Sequence, residues 1–178
     1  MQRRFGLDLE VPDEFGYWSA GFTDGEGCFQ AHIKKNRKTG RRELTLRFEI
    51  GLRADDEPTL KRFQDMLGIG KIMPQKAGRA NWNPQIRYSV WRIADLYHVI
   101  VPLFERYPLY SKKAKDFAIW KTLVAIKYQE GGRHCLGGRL RGSLPTPECF
   151  WDKVVPLVKE LKEQRKFNLP SQSPGELS

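Results

Sequence analysis

Two pairs of segments along the chain carry strand-like patterns, and each pair predicts a β-hairpin. In residues 28–35 and 44–50 every second position is apolar, as in a strand with one buried face. The run Asn36–Gly40 between them has turn composition, and several of its neighbours are basic. The second pair, residues 71–76 and 85–93, is joined by the loop Ala77–Pro84. We therefore expect four antiparallel strands.

Helical patterns precede, separate and follow these hairpins. Apolar positions spaced by three and four residues occur in 14–27, 55–67 and 93–104, and Pro102 is expected to interrupt the last of these. Asp55–Pro58 places acids in the first turn of the second helix, where the helix dipole favours them. The order is αββαββα, which predicts an α+β fold.

The C-terminal third continues with helices and a loop. Ser111 is a good N-cap for the next helix, and the Gly- and Arg-rich run Gln129–Thr146 should be a loop. Pro147–Lys166 is amphipathic, and Pro156 should kink or break it. The predicted organisation is an N-terminal extension at 1–12, a core at 13–130, a loop and flanking helix of the same domain at 131–167, and a disordered tail at 168–178.

The first helix has two different faces. Phe15, Trp18 and Phe22 form a bulky stripe suited to packing against the chain's own sheet. Small residues on another side allow a second helix to approach closely. The residues predicted to contact that second helix are Tyr17, Ala20, Gly21 and Asp24.

This helix ends in two acids, Asp24 and Glu26, although the partial negative charge of a helix C-terminus disfavours acids by roughly 0.3–1 kcal/mol each. A positive group should therefore lie nearby. Carboxylates, and carbonyls exposed beside Gly25 and Gly27, are the ligands that Mg²⁺ prefers. The alternative is a Gly-rich helix end whose acids cap or pair locally.

The segment Ser19–Gly27, SAGFTDGEG, resembles the nine-residue signature of the LAGLIDADG homing endonucleases, with Ser19 in place of the usual leucine. The resemblance extends from about Glu14 to about Lys127. It implies a single-motif, homodimeric member of that family. It also implies a saddle-shaped antiparallel sheet that lies over double-stranded DNA.

The resemblance further implies the active-site residues. Glu26 and the Gly25 carbonyl would hold a catalytic Mg²⁺, which Mn²⁺ could replace, and Asp24 is a weaker candidate ligand. The catalytic lysine would be Lys112 or Lys113, and the sequence does not choose between them. A lysine there could offset charge on the scissile phosphate, whereas the alternative is a solvated cationic helix start.

One departure from the family pattern lies after the second strand. The family's usual glutamine place there is occupied by Leu52. Arg53 or Asp56 is a candidate replacement for the missing polar group.

The polar sides of both hairpins predict a DNA-binding surface. An antiparallel ribbon fits the major groove, where polar side chains read base edges while loop cations contact phosphates. From Lys34 to Arg42, six of nine residues are Lys or Arg. Trp82 could stack on a base or cover the sheet as a lid. The predicted DNA-contacting residues are Gln30, His32, Lys34, Lys35, Arg37, Lys38, Arg41, Arg42, Arg47, Glu49, Lys76, Arg79, Trp82, Arg87, Ser89 and Trp91.

Composition agrees with a nucleic-acid partner. The 178 residues include 31 Lys and Arg against 21 acids, a net charge of +10. No apolar run is long enough for a membrane span, so we expect a soluble intracellular protein of the cytoplasm, nucleoid or organelle matrix. The three cysteines have no zinc-site spacing and predict no disulfide framework.

These observations predict a Mg²⁺-dependent, site-specific double-strand DNA endonuclease. Because one signature copy supplies one helix and one acidic end, we expect a homodimer that cuts a long pseudo-palindromic target. No membrane and no small-molecule cofactor beyond the metal is expected. The main alternative is a non-catalytic nucleic-acid binder on the same fold, such as an RNA maturase or a DNA-binding regulator.

Overall fold

The computed structural model describes residues 10–35, 37, 40–75, 83–135 and 148–165. Within these ranges the predicted order αββαββα is confirmed. The elements in chain order are α1 (Asp13–Glu26), β1 (Gly27–Lys35), β2 (Arg42–Arg53), α2 (Glu57–Leu67), β3 (Lys71–Gln75), β4 (Gln85–Val90), α3 (Ile93–Asp95), α4 (Val101–Arg106), α5 (Lys113–Cys135) and α6 (Glu148–Glu163). The predicted α+β class is correct.

The four strands form one antiparallel sheet in the order β1-β2-β4-β3. Because successive side chains point to opposite faces, alternation assigns every residue to one of two faces. The core face carries fully buried residues such as Phe29, Phe48 and Tyr88. The other face, called here the polar face, carries Gln30, Arg47, Arg87 and their neighbours in register.

Helix α1 packs on the sheet through a stripe of mostly small residues. Phe15, Ser19 and Thr23 recur every four residues and are all buried. The bulky residues Trp18 and Phe22 are only partly buried and stack around Phe63 of α2 rather than against the sheet alone. The prediction that the bulky stripe is buried is therefore correct for Phe15. The small residues Ser19 and Thr23 also face the chain's own core.

Gly16 shows how closely α1 approaches the rest of the core. A Cβ at this position would lie 2.2 Å from the ring of the buried Tyr107. The Tyr107 hydroxyl donates to Asp13 Oδ1 at 2.6 Å, so the same side chain also holds the start of the helix. Hydrogen bonding from Tyr107 lowers the pKa of Asp13.

Prolines interrupt the helices less than predicted. Before Pro102 the chain makes a π-helical turn, Leu96–Ile100, in which the Val101 N–H bonds the Leu96 carbonyl. Helical structure therefore continues into α4 with a local change of hydrogen bonding. Pro156 was predicted to kink or break α6; the break is wrong, because α6 continues through this exposed position, and the kink stays a prediction.

The loop predicted to begin at Gln129 is also misplaced, since α5 continues to Cys135. Its glycines, Gly131 and Gly132, reduce helix propensity but do not end the helix. The tail at 168–178, residues 1–9 of the N-terminal extension and residues 136–147 of the loop lie outside the described residues. None of the described helices is both long and apolar enough to cross a membrane.

Helix α6 lies beside α5 and the outer strand β1, and polar contacts fix both of its ends. Arg42 donates to the Glu148 carboxylate at 2.6 and 2.8 Å, and its guanidinium lies 4.8 Å from the Trp151 ring centroid. At the other end, Arg165 donates to Asp116 and to the Phe29 carbonyl. The expected flanking position of this helix is therefore secured by side chains on both sides.

Candidate active site

Asp24 connects the end of α1 to the turn that precedes α5. Its carboxylate accepts hydrogen bonds from the Tyr110 N–H at 2.8 Å, the Ser111 N–H at 3.2 Å and the Ser111 hydroxyl at 2.7 Å. Ser111 in turn accepts from the Lys113 N–H at 3.1 Å, which confirms it as the cap of α5. Both Asp24 oxygens are thus occupied within the chain. Asp24 therefore has a structural role within the chain, and its weaker assignment as a metal ligand stays a prediction.

Lys113 supplies the positive charge that the acidic end of α1 requires. Its Nζ donates to the Gly25 carbonyl at 2.7 Å and to the Thr23 carbonyl at 3.1 Å. A cation at this position is favoured because carbonyls at a helix C-terminus carry partial negative charge. Lys112 is exposed to solvent, so of the two candidate lysines it is Lys113 that contacts the end of α1. Which of the two is catalytic stays a prediction.

The surroundings of Lys113 act on its titration in opposite directions. Burial lowers the pKa of the Lys113 amine, and the nearby Cys28, Glu26 and Asp24 oppose this shift. Partial burial of the amine therefore disfavours its charged form, whereas the acidic neighbours favour it. Such opposed influences are common where a charged group contacts a reacting centre.

Glu26 is the exposed acid of the pair and lies at the last position of α1. Its carboxylate and the Gly25 carbonyl are hard oxygen donors, and the Lys113 ammonium bonded to that carbonyl shows that this helix end attracts cations. The donors therefore fit Mg²⁺ in kind. Among the residues that the structure describes, however, no three His, Cys, Asp or Glu side chains are grouped closely enough to hold a metal.

The exposed side of α1 offers an open stripe, defined here as Tyr17, Gly21 and Gly25. Tyr17 is 63% exposed, and a Cβ added at Gly21 or Gly25 would meet nothing within 4 Å. Gly27 differs, because a Cβ there would lie 2.4 Å from the Thr23 side chain. Ala20, predicted to contact a second helix, is instead buried in this chain's own core and does not offer free surface.

The polar face of the sheet begins immediately after Glu26. Gln30, Arg47 and Arg87 lie there as predicted and are partly exposed, and His32 and Lys34 extend the face toward the hairpin tip. Lys35, Arg37 and Arg41 are exposed near the same tip. Lys38, Lys76, Arg79 and Trp82 lie outside the described residues.

Two predicted DNA contacts, Glu49 and Ser89, require correction, and a third, Arg42, has a partner within the chain. Glu49 is 3% exposed and Ser89 is fully buried, because neighbouring side chains cover the centre of the polar face. Arg42 lies on the core side by alternation and is bound to Glu148 and Trp151 of α6. Glu49 and Ser89 therefore stabilise the fold and are not accessible to DNA in this arrangement. Arg42 stays 40% exposed, but its guanidinium is engaged by α6.

Two other predicted contacts are available at the edges of the face. Trp91 is 40% exposed, and the Lys71 Nζ lies 6.0 Å from its ring centroid. Partial burial, followed by the positive charges of Lys162 and Lys34, lowers the pKa of His32. The imidazole of His32 therefore stays neutral to a lower pH than an ordinary histidine.

Leu52, which stands where the family usually has a glutamine, packs as an apolar residue. Leu52 is half-buried and packs against the core, so its side chain adds no polar group to the site. Arg53, a candidate replacement, makes a bidentate pair with Asp55 at 3.1 and 2.6 Å. That pair is exposed, which leaves it accessible to a ligand.

Sequence reasoning missed the partners that organise these groups. Nothing local in the sequence indicates that Asp24 binds the turn at Tyr110 and Ser111, which lies 86 residues away. The one signal in the sequence was the unfavourable acidic end of α1, which required a cation from elsewhere. The environment of Glu49 was equally hidden, because alternation alone assigned it to an exposed face.

Comparison with known proteins identifies relatives of this chain. A family model described as "LAGLIDADG endonuclease" matches residues 19–124. Over 119 residues the chain is 35% identical to "Uncharacterized 50.9 kDa protein in ND4 intron 1" of Podospora anserina, and over 112 residues it is 38% identical to "Probable intron-encoded endonuclease 3" of Neurospora crassa. These matches cover 64% and 61% of this chain but 25% and 20% of the relatives. The chain thus spans a quarter or less of their length.

Solved structures share its fold. I-SmaMI, a LAGLIDADG homing endonuclease bound to cleaved DNA, superposes with a TM-score of 0.66 at 26% identity. That match covers 93% of this chain and 49% of the I-SmaMI chain. The homing endonuclease I-TnaI, at 24% identity and a TM-score of 0.61, shares the fold over 84% of this chain and 94% of its own.

The two acids at the end of α1 should differ in their effect on stability. Asp24→Asn removes a charged acceptor for three hydrogen bonds, so it should lower the free energy of unfolding by about 1–3 kcal/mol. Glu26→Gln, at an exposed position, should change it by no more than about 0.5 kcal/mol. Chemical denaturation measures both. Equal losses would contradict the structural role assigned to Asp24.

Proposed function

We propose that this chain, which belongs to the LAGLIDADG endonuclease family, is a site-specific double-strand DNA endonuclease that acts as a homodimer. The observation that carries the proposal is the convergence of Glu26, the Gly25 carbonyl and Lys113 at one end of the polar face. Charge agrees with this, because the net charge of +10 suits a polyanionic duplex. The DNA backbone would then pass the end of α1 while base edges face the strands.

We propose Mg²⁺ as the metal, held by the Glu26 carboxylate and the Gly25 carbonyl, with Mn²⁺ as a replacement. A bound divalent ion would supply Lewis-acid stabilisation of the phosphate and lower the pKa of bound water. Lys113 is positioned to offset negative charge that develops on the scissile phosphate, because its amine lies beside the same carbonyl. Asp24 keeps that amine in place through Ser111.

A second copy of the fold would complete this site. The described residues include one α1 helix with one Glu26, and they contain no complete metal cluster. The open stripe of Tyr17, Gly21 and Gly25 allows the α1 helices of two molecules to approach closely. The 86% exposed Tyr110, tied by its backbone to Asp24, adds aromatic surface beside that stripe. Twofold pairing would bring two Glu26 side chains together and favour a pseudo-palindromic target.

The names of the relatives support a proposal on the genetic origin of this chain. They include proteins described as intron-encoded endonucleases and a "mitochondrial protein RF1" of Saccharomyces cerevisiae, 33% identical over 120 residues. We propose that this chain is likewise encoded in an intron and works in an organelle.

A randomised duplex library tests cleavage, since it requires no assumption about the target sequence. Wild-type protein is incubated with the library in Mg²⁺, and all new DNA ends are sequenced. The ends should cluster within one recurrent sequence, whereas Glu26→Gln should bind that sequence without producing ends. Full cleavage by Glu26→Gln would refute the metal assignment. Enrichment of bound sequence without any cleavage by the wild type would instead favour the non-catalytic binder, a function with which the apolar Leu52 also agrees.

A substitution in the open stripe tests whether the protein forms the proposed dimer. Gly21→Arg places a long charged side chain where a second helix must approach, so light scattering should find a monomer in place of the wild-type dimer. Thr122→Arg, at an exposed position of α5, is the matched control and should remain dimeric. A wild-type protein that stays monomeric on its DNA target would contradict the pairing.

A further inference from the structure

A buried carboxylate lies at the centre of the polar face. Glu49 is 3% exposed, yet it faces the side of the sheet that carries the cations rather than the core. Gln30 Nε2 donates to Glu49 Oε2 at 2.6 Å, and Ser89 Oγ donates to Oε1 at 3.0 Å. Arg87 Nη1 lies 3.1 Å from Oε2, and Arg47 Nη1 lies 3.5 Å from Oε1. Four side chains from three strands therefore converge on one carboxylate.

The strand register explains this convergence. Glu49 lies opposite Ser89 of β4 and Cys28 of β1, in the central strand of the three. Arg47 precedes it on the same strand face, and Arg87 lies opposite Gly51 on the far side. The two arginines thus approach the carboxylate from opposite directions.

The two arginines remain accessible while Glu49 does not. Their side chains are 39% and 33% exposed, against 4% for the Glu49 side chain. A guanidinium carries five N–H donors in a fixed fork and cannot lose its charge, so one contact with Glu49 leaves donors for another ligand. Arg binds guanine through two donors, to O6 and N7, and a guanidinium held in place by Glu49 would lose less conformational freedom on making that contact.

We propose that Glu49 is a positioning residue that holds Arg47 and Arg87 as a fixed pair of guanine readers in the major groove. The proposal rests on the DNA-binding function proposed above and assigns chemistry to two of its contacts. Both guanidinium groups contact one carboxylate, so they lie close to each other. With base pairs stacked about 3.4 Å apart, their guanines should fall within about three base pairs of one another. Glu49 itself would read no base, because its oxygens are buried and already accept hydrogen bonds.

Binding selection from a randomised duplex library in EDTA, where no cleavage occurs, tests this role. The wild type should enrich a motif with two guanines within about three base pairs in each half-site. Glu49→Gln removes the charge that holds both arginines, so its preference for guanine at both positions should fall at least fivefold. Its affinity for random duplex DNA should not fall, since the variant carries one negative charge less.

Glu43→Gln is the matched control, because Glu43 lies on the same face of β2, is exposed and brings the same change of charge. It should enrich the wild-type motif unchanged. A Glu49→Gln protein that selects the wild-type motif with undiminished guanine preference would overturn the proposal. A wild-type protein that enriches no motif at all would refute the proposed function, and this inference with it.

The test remains decisive if Glu49→Gln fails to fold. Ser89→Ala removes one hydrogen bond to the carboxylate and no charge, so it should weaken the same two guanine preferences by a smaller factor. Arg87→Gln should remove the preference at one position only. Unchanged selectivity in both of these variants would equally overturn the role of Glu49.

Discussion

The site depends on the hydrogen bonds that join Asp24 to the turn before α5. One carboxylate binds two backbone N–H groups and the Ser111 hydroxyl, and this joins segments that are 86 residues apart. The connection fixes where α5 begins and hence where the Lys113 amine meets the Gly25 carbonyl. It leaves Glu26, two residues further on, exposed at the start of the polar face. The paired acids of the signature thus have separate tasks, one internal and one directed outward.

The glycines at the end of α1 also have two different roles. Gly27 is required by close approach to Thr23, whereas Gly21 and Gly25 face open space on a side of α1 that no described residue covers. Small residues therefore serve two opposite purposes within seven positions. One permits the helix to join its own strand, and the others leave room for a second molecule and a ligand. A homodimer would use this room to bring two acidic helix ends together.

The fold was largely readable from the sequence because its periodicities are local. Alternation located the strands, and helical spacing with the cap Ser111 located the helices. The partners of charged side chains were not readable, since they depend on register and on distant segments. Alternation placed Glu49 on the outer face but could not show that Arg47 and Arg87 would cover it. Likewise, Arg42 and Glu148 meet only because α6 returns to the first hairpin.

In the proposed homodimer, each Lys113 would serve its own α1 end and therefore one strand of the duplex. The most direct measurement uses a heterodimer of one wild-type and one Lys113→Met subunit, isolated through two different affinity tags and given the cleavable target in Mg²⁺. This heterodimer should nick one strand, whereas the corresponding Lys112→Met heterodimer should cut both. Double-strand cleavage at the wild-type rate by the Lys113→Met heterodimer would contradict this role of Lys113.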